Sequence, residues 1–289
     1  MIRLWLLAAC LLLTLQLSVA QLPGFAAAPL TVFEGNPQQM QWSKTESGLI
    51  VSLQIGDTVR HMCYKPGDSS AMWLDFGMMP RYVAPHPTAK AWAGALDGGE
   101  PWSAGTFRFL SRFGQRKIFL RQPMFNGSGN LLAFSAYTPY NKEWRLMTYD
   151  LKYDNLNSFN GLPAEVSYPV WSPKSSFIAF VLPADHPARR QVAVTPWDGS
   201  SLRYYRSDSL SFEYAAWPGN EQYLLLTAKG NPGWYLLRRH LHSSAVETLY
   251  FSISELRFAQ WIPETRKLVF LQKKDGQWEL WWLDLDAHE

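Results

Sequence analysis

Two histidines in the last third of the chain are the first candidates for metal chemistry. His240 and His242 follow two arginines in a run of β-forming residues, and on a strand their rings would share one face. A metal site in a protein needs further ligands, and no other His or Cys lies close to this pair in the sequence. We therefore expect a solvated strand edge here, with no metal ion and no other cofactor.

Carboxylates are the second candidates, because paired Asp or Glu side chains can perform general acid and base catalysis. Asp284 and Asp286 are spaced as in some calcium loops, but the further oxygen donors of such a loop are missing. The carboxylates that fall where loops or strand ends are expected are Glu143, Asp185, Asp198 and Asp284. Nothing in their spacing brings them together, so we predict solvated turn residues.

A nucleophile motif is also missing from the sequence. Serine hydrolases of the α/β type carry Gly-x-Ser-x-Gly, whereas residues 126–129 read Asn-Gly-Ser-Gly and predict a turn between strands. The net charge of +3 is small, and the Lys and Arg residues are scattered, which argues against a nucleic-acid partner. These observations together predict a protein that is not an enzyme.

Tryptophan carries the strongest pattern, with 14 of these residues in a chain of 289. Five aromatic residues are each followed, seven to nine positions later, by an apolar triplet such as Ile178-Ala179-Phe180. These anchor residues are Trp42, Phe125, Trp171, Trp217 and Trp261. The last four are spaced by 46, 46 and 44 residues, and the first two by 83, which is nearly two such steps. A fixed period of this length indicates a repeat protein.

One repeat is predicted to contain a strand, a tight turn, an apolar strand, a loop, a third strand and a weaker fourth strand. Third strands are expected near Val59, Trp144, Trp234 and Trp278, and Ala245–Phe251 is an example of a fourth strand. Four strands in about 40–45 residues are typical of a propeller blade. The second strand is apolar at successive positions, which indicates a sheet covered on both faces. We therefore predict an all-β fold, a six-bladed β-propeller, with five or seven blades as alternatives.

The repeats divide the chain into blades at about 36–75, 76–121, 122–165, 166–210, 211–254 and 255–289. Only three strands are predicted in the last repeat, and a propeller that is not closed exposes its sheet edges. The β-prone segment Leu30–Phe33 precedes the first blade. We predict that this N-terminal strand, residues 29–34, closes the ring beside Trp278–Leu285.

The second repeat, residues 76–121, is the least regular, and only Thr106–Phe113 and Lys117–Leu120 are predicted as strands in it. Irregular loops on a rigid scaffold are frequent binding sites. We interpret the anchor tryptophans as core residues because they recur with the repeat, which leaves Trp73 and Trp197 among the tryptophans that a ligand could reach. Candidate partner-binding residues are Arg81, Trp92 and Trp102 in the second repeat, with His186, Arg189 and Arg190 in a later loop.

The first 20 residues have the features of a secretory signal peptide. Arg3 precedes the apolar run Leu4–Leu13, and the small residues Ser18 and Ala20 stand at the expected cleavage site. Cleavage there would leave a single propeller domain, residues 21–289, that is periplasmic or secreted. An uncleaved membrane anchor and lipidation at Cys10 are the alternatives. Without Cys10 no internal disulfide can form, and we expect Cys63 to be a small buried side chain.

Residues 168–180 read Tyr-Pro-Val-Trp-Ser-Pro-Lys-Ser-Ser-Phe-Ile-Ala-Phe and resemble the repeat of TolB-type six-bladed propellers, Pro-x-Trp-Ser-Pro-Asp-Gly-x-x-Ile-Ala-Phe. Residues 142–151 and 278–286 are similar to the third strand of that repeat, and the resemblance covers about residues 30–289. It departs from the family at Lys174-Ser175, where Asp-Gly is usual, and TolB's N-terminal α/β domain has no counterpart. The resemblance implies an exported, periplasmic, non-enzymatic propeller that binds another protein, which we expect to belong to the cell envelope. We expect the propeller to be a monomer.

Two other functions stay open from the sequence. A carbohydrate-active or other hydrolytic propeller would bring two or three carboxylates within roughly 5–10 Å of one another in the central pocket. A small-ligand sensor would show an apolar pocket lined by aromatic residues that do not recur with the repeat.

Overall fold

A computed structural model of the chain describes residues 27–66, 71–105, 117–140, 142–159, 161–186 and 188–285. All regular elements in these ranges are β-strands, 23 in number, and the strands form six sheets. None of these ranges contains a helix with the length and apolar character needed to cross a membrane. The predicted signal peptide, residues 1–20, and the candidate lipidation site Cys10 lie outside the described residues.

The first described strand, β1 (Ala27–Phe33), belongs to the last blade. Blade 1 contains β2 (Asn36–Ser43), β3 (Gly48–Ile55), β4 (Thr58–Tyr64) and β5 (Met72–Leu74). Blade 2 contains β6 (Tyr82–Pro85), β7 (Trp92–Ala95) and β8 (Pro101–Ala104). Blade 3 contains β9 (Phe119–Phe125), β10 (Leu131–Tyr137), β11 (Trp144–Asp150) and β12 (Asn155–Ser158).

Blade 4 contains β13 (Ser167–Trp171), β14 (Phe177–Pro183), β15 (Arg190–Pro196) and β16 (Arg203–Tyr205). Blade 5 contains β17 (Ser211–Ala216), β18 (Tyr223–Lys229), β19 (Trp234–His240) and β20 (Val246–Ser252). Blade 6 contains β21 (Leu256–Ile262), β22 (Lys267–Lys274) and β23 (Gln277–Asp284), with β1 as its fourth strand.

The first strand of each blade lies at the centre of a closed ring. Strands β2, β6, β9, β13, β17 and β21 each contact the first strands of both neighbouring blades, and the contacts return to β2. Within each blade, successive strands pair in antiparallel fashion. The all-β, six-bladed propeller predicted from the sequence is confirmed.

The N-terminal strand closes this ring as predicted. Strand β1 pairs with β23 in antiparallel register, with Val32 opposite Glu279 and Phe33 opposite Trp278. The Phe33 side chain is 2 % exposed and packs in one cluster with Leu49 and other residues of blade 1. Strand β1 therefore completes the sheet of blade 6 and also supplies apolar contacts to blade 1.

Hairpin geometry explains the seven-residue spacing found in the sequence. The first and second strands of a blade form a hairpin, in which the anchor residue pairs with the residue seven positions later. The observed pairs are Trp42 with Leu49, Phe125 with Leu132, Trp171 with Ile178, and Trp261 with Leu268. The middle of each second strand in blades 1, 3, 4, 5 and 6 is buried at successive positions, as predicted for sheets packed on both faces.

Six apolar clusters hold the ring together, and each lies between two neighbouring blades. Phe134, Phe180 and Phe270, from the second strands of blades 3, 4 and 6, are fully buried in them. Burial of one such side chain contributes about 1.5–3 kcal/mol. Cys63 is 1 % exposed in the cluster between blades 1 and 2, which confirms its expected packing role.

Blade 2 differs from the sequence prediction. Its three described strands were not predicted, and the predicted strand Lys117–Leu120 is wrong in its placement, because Phe119 begins the first strand of blade 3. The other predicted strand, Thr106–Phe113, lies outside the described residues. Strand β7 reads Trp-Ala-Gly-Ala, which has low β-propensity. A Cβ atom on Gly94 would lie 2.3 Å from the Tyr82 carbonyl oxygen, so close strand packing requires this weak sequence.

Candidate functional site

A cavity of about 600 Å³ opens at the centre of the ring, on the face where each first strand turns into the second strand. We call it the central cavity. It is lined by residues at the ends of all six first strands and by the turns that follow them. The lining includes ten aromatic and proline residues: Trp42, Pro85, Pro87, Phe125, Trp171, Pro173, Trp217, Pro218, Trp261 and Pro263. Its volume falls within the range of about 300–1,000 Å³ that is usual for ligand sites.

All five anchor residues of the repeat line this cavity, so their interpretation as core residues was incomplete. Trp171 and Trp217 are buried, with 5 % and 4 % of their surface exposed. Trp42 and Trp261, on the adjacent blades 1 and 6, are half-buried and form part of the cavity wall. Recurrence with the repeat predicted packing between blades, but a repeat position at the centre of a propeller also faces the channel along the ring axis.

Hydrogen bonds between blades fix the orientation of these indole rings. Nε1 of Trp171 donates to the Met124 carbonyl oxygen at 3.1 Å, and Nε1 of Trp217 donates to the Val170 carbonyl oxygen at 3.3 Å. In blade 1, Nε1 of Trp42 donates to a carboxylate oxygen of Glu264 at 3.3 Å. These three N–H groups are therefore engaged within the protein, and a ligand would contact ring surfaces.

The rim of the cavity in blade 4 is held by a carboxylate from blade 5. One oxygen of Glu221 accepts hydrogen bonds from the Ser172 hydroxyl group and from the backbone N–H groups of Lys174 and Ser176. The Ser172 hydroxyl oxygen in turn accepts the Phe177 N–H at 2.9 Å. The Ser-Pro-Lys-Ser-Ser turn is thus fixed by its neighbour.

We expect Glu221→Ala to lower the free energy of unfolding by about 1.5–3 kcal/mol, because the buried Ser172 hydroxyl group and two backbone N–H groups of the turn lose a charged acceptor. The matched control is Glu247→Ala, which removes a surface ion pair with Arg238 at 2.7 Å and should cost less than about 1 kcal/mol. Denaturant unfolding of both variants measures the difference. Equal losses would show that the blade 5 carboxylate does not hold the turn.

Below the central cavity, the channel along the ring axis is closed by a layer of side chains, which we call the floor. Its residues lie three positions before the anchors, at or beside β-bulges of the first strands: Gln39, Gln122, Tyr168, Tyr214 and Phe258. Gln122, Tyr168 and Phe258 have φ values of 54°, 52° and 48°. The ring centroids of Tyr214 and Phe258 are 4.3 Å apart, and the free volume at this level is about 50 Å³. The central cavity is therefore a cup with a floor.

The floor is uncharged at neutral pH. Burial raises the pKa of Tyr168 and of Tyr214 above the ordinary tyrosine value, so both hydroxyl groups keep their protons. The Gln122 side-chain oxygen accepts the Tyr168 N–H at 2.7 Å, and Gln41 Nε2 donates to the Pro123 carbonyl oxygen at 2.8 Å. These groups form neutral hydrogen bonds and do not provide a general base.

Lys44 and Arg266, both exposed at the rim, are the charged side chains among the described residues that line the cavity. No Asp or Glu belongs to that described lining, and none of the four candidate carboxylates does. Glu143 pairs with Arg145 at 2.6 Å, and Asp185 pairs with Arg206 at 3.0 Å. Asp198 is exposed, and hydrogen bonds from Ser200 lower its pKa. Asp284 ends β23 in blade 6.

The two candidate metal ligands do not share a strand. Strand β19 ends at His240, so His242 lies in the following turn, and their ring centroids are 6.1 Å apart. Arg203 Nη1 donates to Nδ1 of His242 at 3.3 Å. Within the described parts of the chain, no three His, Cys, Asp or Glu side chains come together as a metal site.

The candidate partner-binding tryptophans of blade 2 lie in or beside the core. Trp102 is 8 % exposed, and Trp92 is half-buried; both pack edge-to-face on Phe76, at 5.2 and 5.0 Å. The Trp102 ring is not accessible to a partner, which corrects its assignment as a contact residue. Residues 76–105 hold the described strands of blade 2 and are framework, so their deletion would open the ring.

The candidate arginines and histidine lie on the face of the ring opposite the central cavity, where the first strands begin. Arg81 pairs with Asp97 at 2.6 Å, and Arg190 pairs with Glu213 at 3.5 Å while donating to the Ser167 hydroxyl oxygen. His186 is exposed in the loop before β15, and Arg189 is half-buried there. The structure thus separates these residues from the central cavity, and none of the candidate partner-binding residues lines it.

No protein-family profile matches the sequence, and no characterised protein matches it at significant similarity. The fold is similar to solved propellers of very different sequence. A protein named TolB from Agrobacterium tumefaciens is 10 % identical with a TM-score of 0.57, covering 79 % of this chain and 88 % of that one. The gluconolactonase XC5397 from Xanthomonas campestris is 9 % identical with a TM-score of 0.67, covering 94 % and 92 %.

An oligogalacturonate lyase from Vibrio parahaemolyticus is 10 % identical with a TM-score of 0.54, covering 94 % of this chain and 97 % of that one. These similarities confirm the TolB-type resemblance at the level of the fold. Because one architecture carries many functions and these neighbours include enzymes, the fold alone does not assign a function.

Proposed function

We propose that this propeller is a non-enzymatic binding module of the cell envelope, and that its central cavity binds an extended segment of another protein. The observation that carries the proposal is the convergence of all five anchor aromatics on one cup-shaped cavity of about 600 Å³. Large aromatic surfaces in a concave, preformed site are the usual anchors for a peptide segment.

The construction of the cavity supports binding rather than catalysis. The indole N–H groups of Trp42, Trp171 and Trp217 are engaged between blades, and the tyrosines of its floor are neutral. The described lining contains no pair of carboxylates for acid and base chemistry. The aromatics recur with the repeat, which is the opposite of the pattern expected for a small-ligand sensor.

We also propose that the chain is exported to the periplasm or secreted, and that it acts as a monomer. The support for export is the charged start, apolar run and small residues of positions 1–20, which have the order of a signal peptide. Fractionation of cells that express the tagged full-length chain tests this point, and recovery in the cytoplasm would contradict it.

The proposal predicts that partner capture depends on the cavity wall. The double variant Trp42→Ala/Trp261→Ala removes the two half-buried rings, and we expect it to reduce capture of a partner from envelope extract by at least about tenfold. The comparison is made with immobilised wild-type protein and quantified by mass spectrometry. The matched control is Trp197→Ala, since Trp197 is 52 % exposed and lies outside the cavity.

Thermal melting of all three proteins must first show that the variants remain folded. Capture that survives in the double variant would contradict the proposal. A sugar or small metabolite that raises the melting temperature of the wild type, but not of the double variant, would favour the alternatives instead.

A further inference from the structure

We propose that a second binding site lies at the outer edge of the ring between blades 4 and 5, and that it takes a phosphate group. Side chains of β16 and β19 meet there, on the same face of the ring as the central cavity. Arg203 begins β16, Arg239 lies at the end of β19, and His242 follows in the next turn. None of these residues lines the central cavity, so the site is separate from the one proposed above.

The half-buried side chain of Arg239 has donors that the protein does not use. Its guanidinium group stacks on Tyr205, with Cζ 5.2 Å from the ring centroid, and its buried Nε has no hydrogen-bond partner among the described residues. A buried donor without an acceptor is destabilising, so such a group in a native fold requires an explanation. Because stacking fixes the plane of the guanidinium group, its donors are held in position for a ligand.

Arg203 and His242 add donors from the two sides of the same junction. Nη1 of Arg203 donates to the Leu241 carbonyl oxygen at 2.5 Å and to Nδ1 of His242 at 3.3 Å. Because Nδ1 of His242 accepts, the proton of its neutral ring is on Nε2, which is a second donor group of blade 5. Arg203 and His242 are both exposed, so a ligand can reach them from solvent.

The charge at this junction is positive. Burial raises the pKa of Tyr205, and the charged groups that act on its hydroxyl group are Arg203 and Arg239, both in the opposite direction. No ion pair formed by the described residues includes either arginine. A patch of one sign of charge concentrates ligands of the opposite sign.

The carboxylates on the neighbouring strands and turns are held elsewhere. Glu247 pairs with Arg238 at 2.7 Å, and this ion pair lies on the opposite face of β19, since successive residues of a strand alternate. Hydrogen bonds from Ser200 hold Asp198 and lower its pKa, with no contribution from an arginine. Glu221 accepts the hydrogen bonds of the blade 4 turn.

This set of donors suits a phosphate group better than a carboxylate. A phosphate monoester carries a charge of about −1.5 to −2 near pH 7, and its oxygens point in different directions. A carboxylate has its oxygens in one plane, where a single arginine can bind both. Here the donors come from two blades, so a tetrahedral dianion can accept from all of them.

The test compares three small aromatic anions by isothermal titration calorimetry at about pH 7.5, where a phosphate monoester is mostly a dianion. Phenyl phosphate should bind at least about tenfold more tightly than benzoate, with the tetrahedral monoanion benzenesulfonate in between. Its binding should weaken at about 0.3 M salt. Equal binding of the three anions, or no binding of phenyl phosphate at millimolar concentration, would overturn the proposal.

The double variant Arg203→Gln/Arg239→Gln should lose at least about tenfold in affinity for phenyl phosphate. The matched control is Arg206→Gln, an arginine just after β16 that pairs with Asp185 at 3.0 Å, and it should bind like the wild type. If melting shows that the double variant is unfolded, Arg239→Gln alone carries the test, because its Nε has no hydrogen bond to lose. Unchanged affinity in the folded variant, or an equal loss in the control, would contradict the site.

The Trp42→Ala/Trp261→Ala variant should bind phenyl phosphate like the wild type, and loss of binding there would move the anion to the central cavity and overturn the proposal. Competition identifies the source of the phosphate group. Stronger displacement of phenyl phosphate by inorganic phosphate assigns the site to the free ion, whereas stronger displacement by vesicles that contain phosphatidic acid assigns it to a lipid headgroup.

Discussion

Phe33→Ala should lower the free energy of unfolding by about 3–5 kcal/mol, which corresponds to a fall of roughly 6–20 °C in melting temperature. The ring of Phe33 is 2 % exposed and lies where the closing strand β1 meets blade 1. Its truncation leaves a cavity where β1, which closes the ring, packs against blade 1. Circular dichroism during heating and denaturant titration both measure the effect.

The adjacent residue provides a matched control. Val32 lies on the opposite face of the same strand, is 51 % exposed and pairs with Glu279, so Val32→Ala should change stability by less than about 1 kcal/mol. Deletion of residues 27–33 should go further and expose the outer edge of β23 to aggregation. If Phe33→Ala and Val32→Ala melt alike, closure by β1 contributes little to stability.

The ring architecture was predictable because its signals are spaced by hairpin geometry. The pairing of Trp171 with Ile178, and of its counterparts in three other blades, sets the seven-residue spacing directly. Burial on both faces of the second strands requires continuous apolar runs, and such runs can be recognised directly in the sequence. The closing role of Leu30–Phe33 followed from the missing strand of the last repeat.

Blade 2 and the central cavity were harder to predict, for different reasons. Strand β7 consists of Trp92, Ala93, Gly94 and Ala95. The alanines and the glycine have low β-propensity, and close packing of the strands explains their presence. The anchor tryptophans gave a clear signal, but periodicity does not separate a residue packed between blades from one at the ring axis. A usable signal was present: the prolines that follow several anchors mark rigid turns around a common centre.

The irregular blade 2 is joined to both neighbours through buried histidines, whose positions in the fold the sequence did not reveal. His61 of blade 1 contacts the Pro80 carbonyl oxygen with Nε2 at 2.7 Å, and His86 contacts the Gly129 carbonyl oxygen of blade 3 with Nε2 at 3.0 Å. A carbonyl oxygen only accepts, so Nε2 carries the proton in both rings. Nδ1 of His86 then accepts the Ala89 N–H at 3.0 Å.

Acidification should therefore destabilise the propeller through these two junctions. Burial lowers the pKa of His61 and of His86 below the ordinary value near 6.5, although their carbonyl contacts act in the opposite direction. The unfolded chain then takes up protons more readily than the folded chain. Stability should be fully present above about pH 6.5, fall as the pH drops from there to the lowered folded values, and level off below them.

The double variant His61→Gln/His86→Gln tests the assignment, because glutamine retains a donor and an acceptor but does not titrate in this range. We expect it to be less stable than the wild type near pH 7.5 and to show a smaller loss between about pH 7 and 5. His186→Gln, at an exposed loop position, should keep the wild-type pH dependence. Denaturant midpoints at each pH measure the slopes. Protonation at Nδ1 of His86 would break the hydrogen bonds that this atom now accepts from backbone N–H groups, so the double variant should lose part of the acid sensitivity. Equal slopes in the wild type and the double variant would assign the acid sensitivity to other groups.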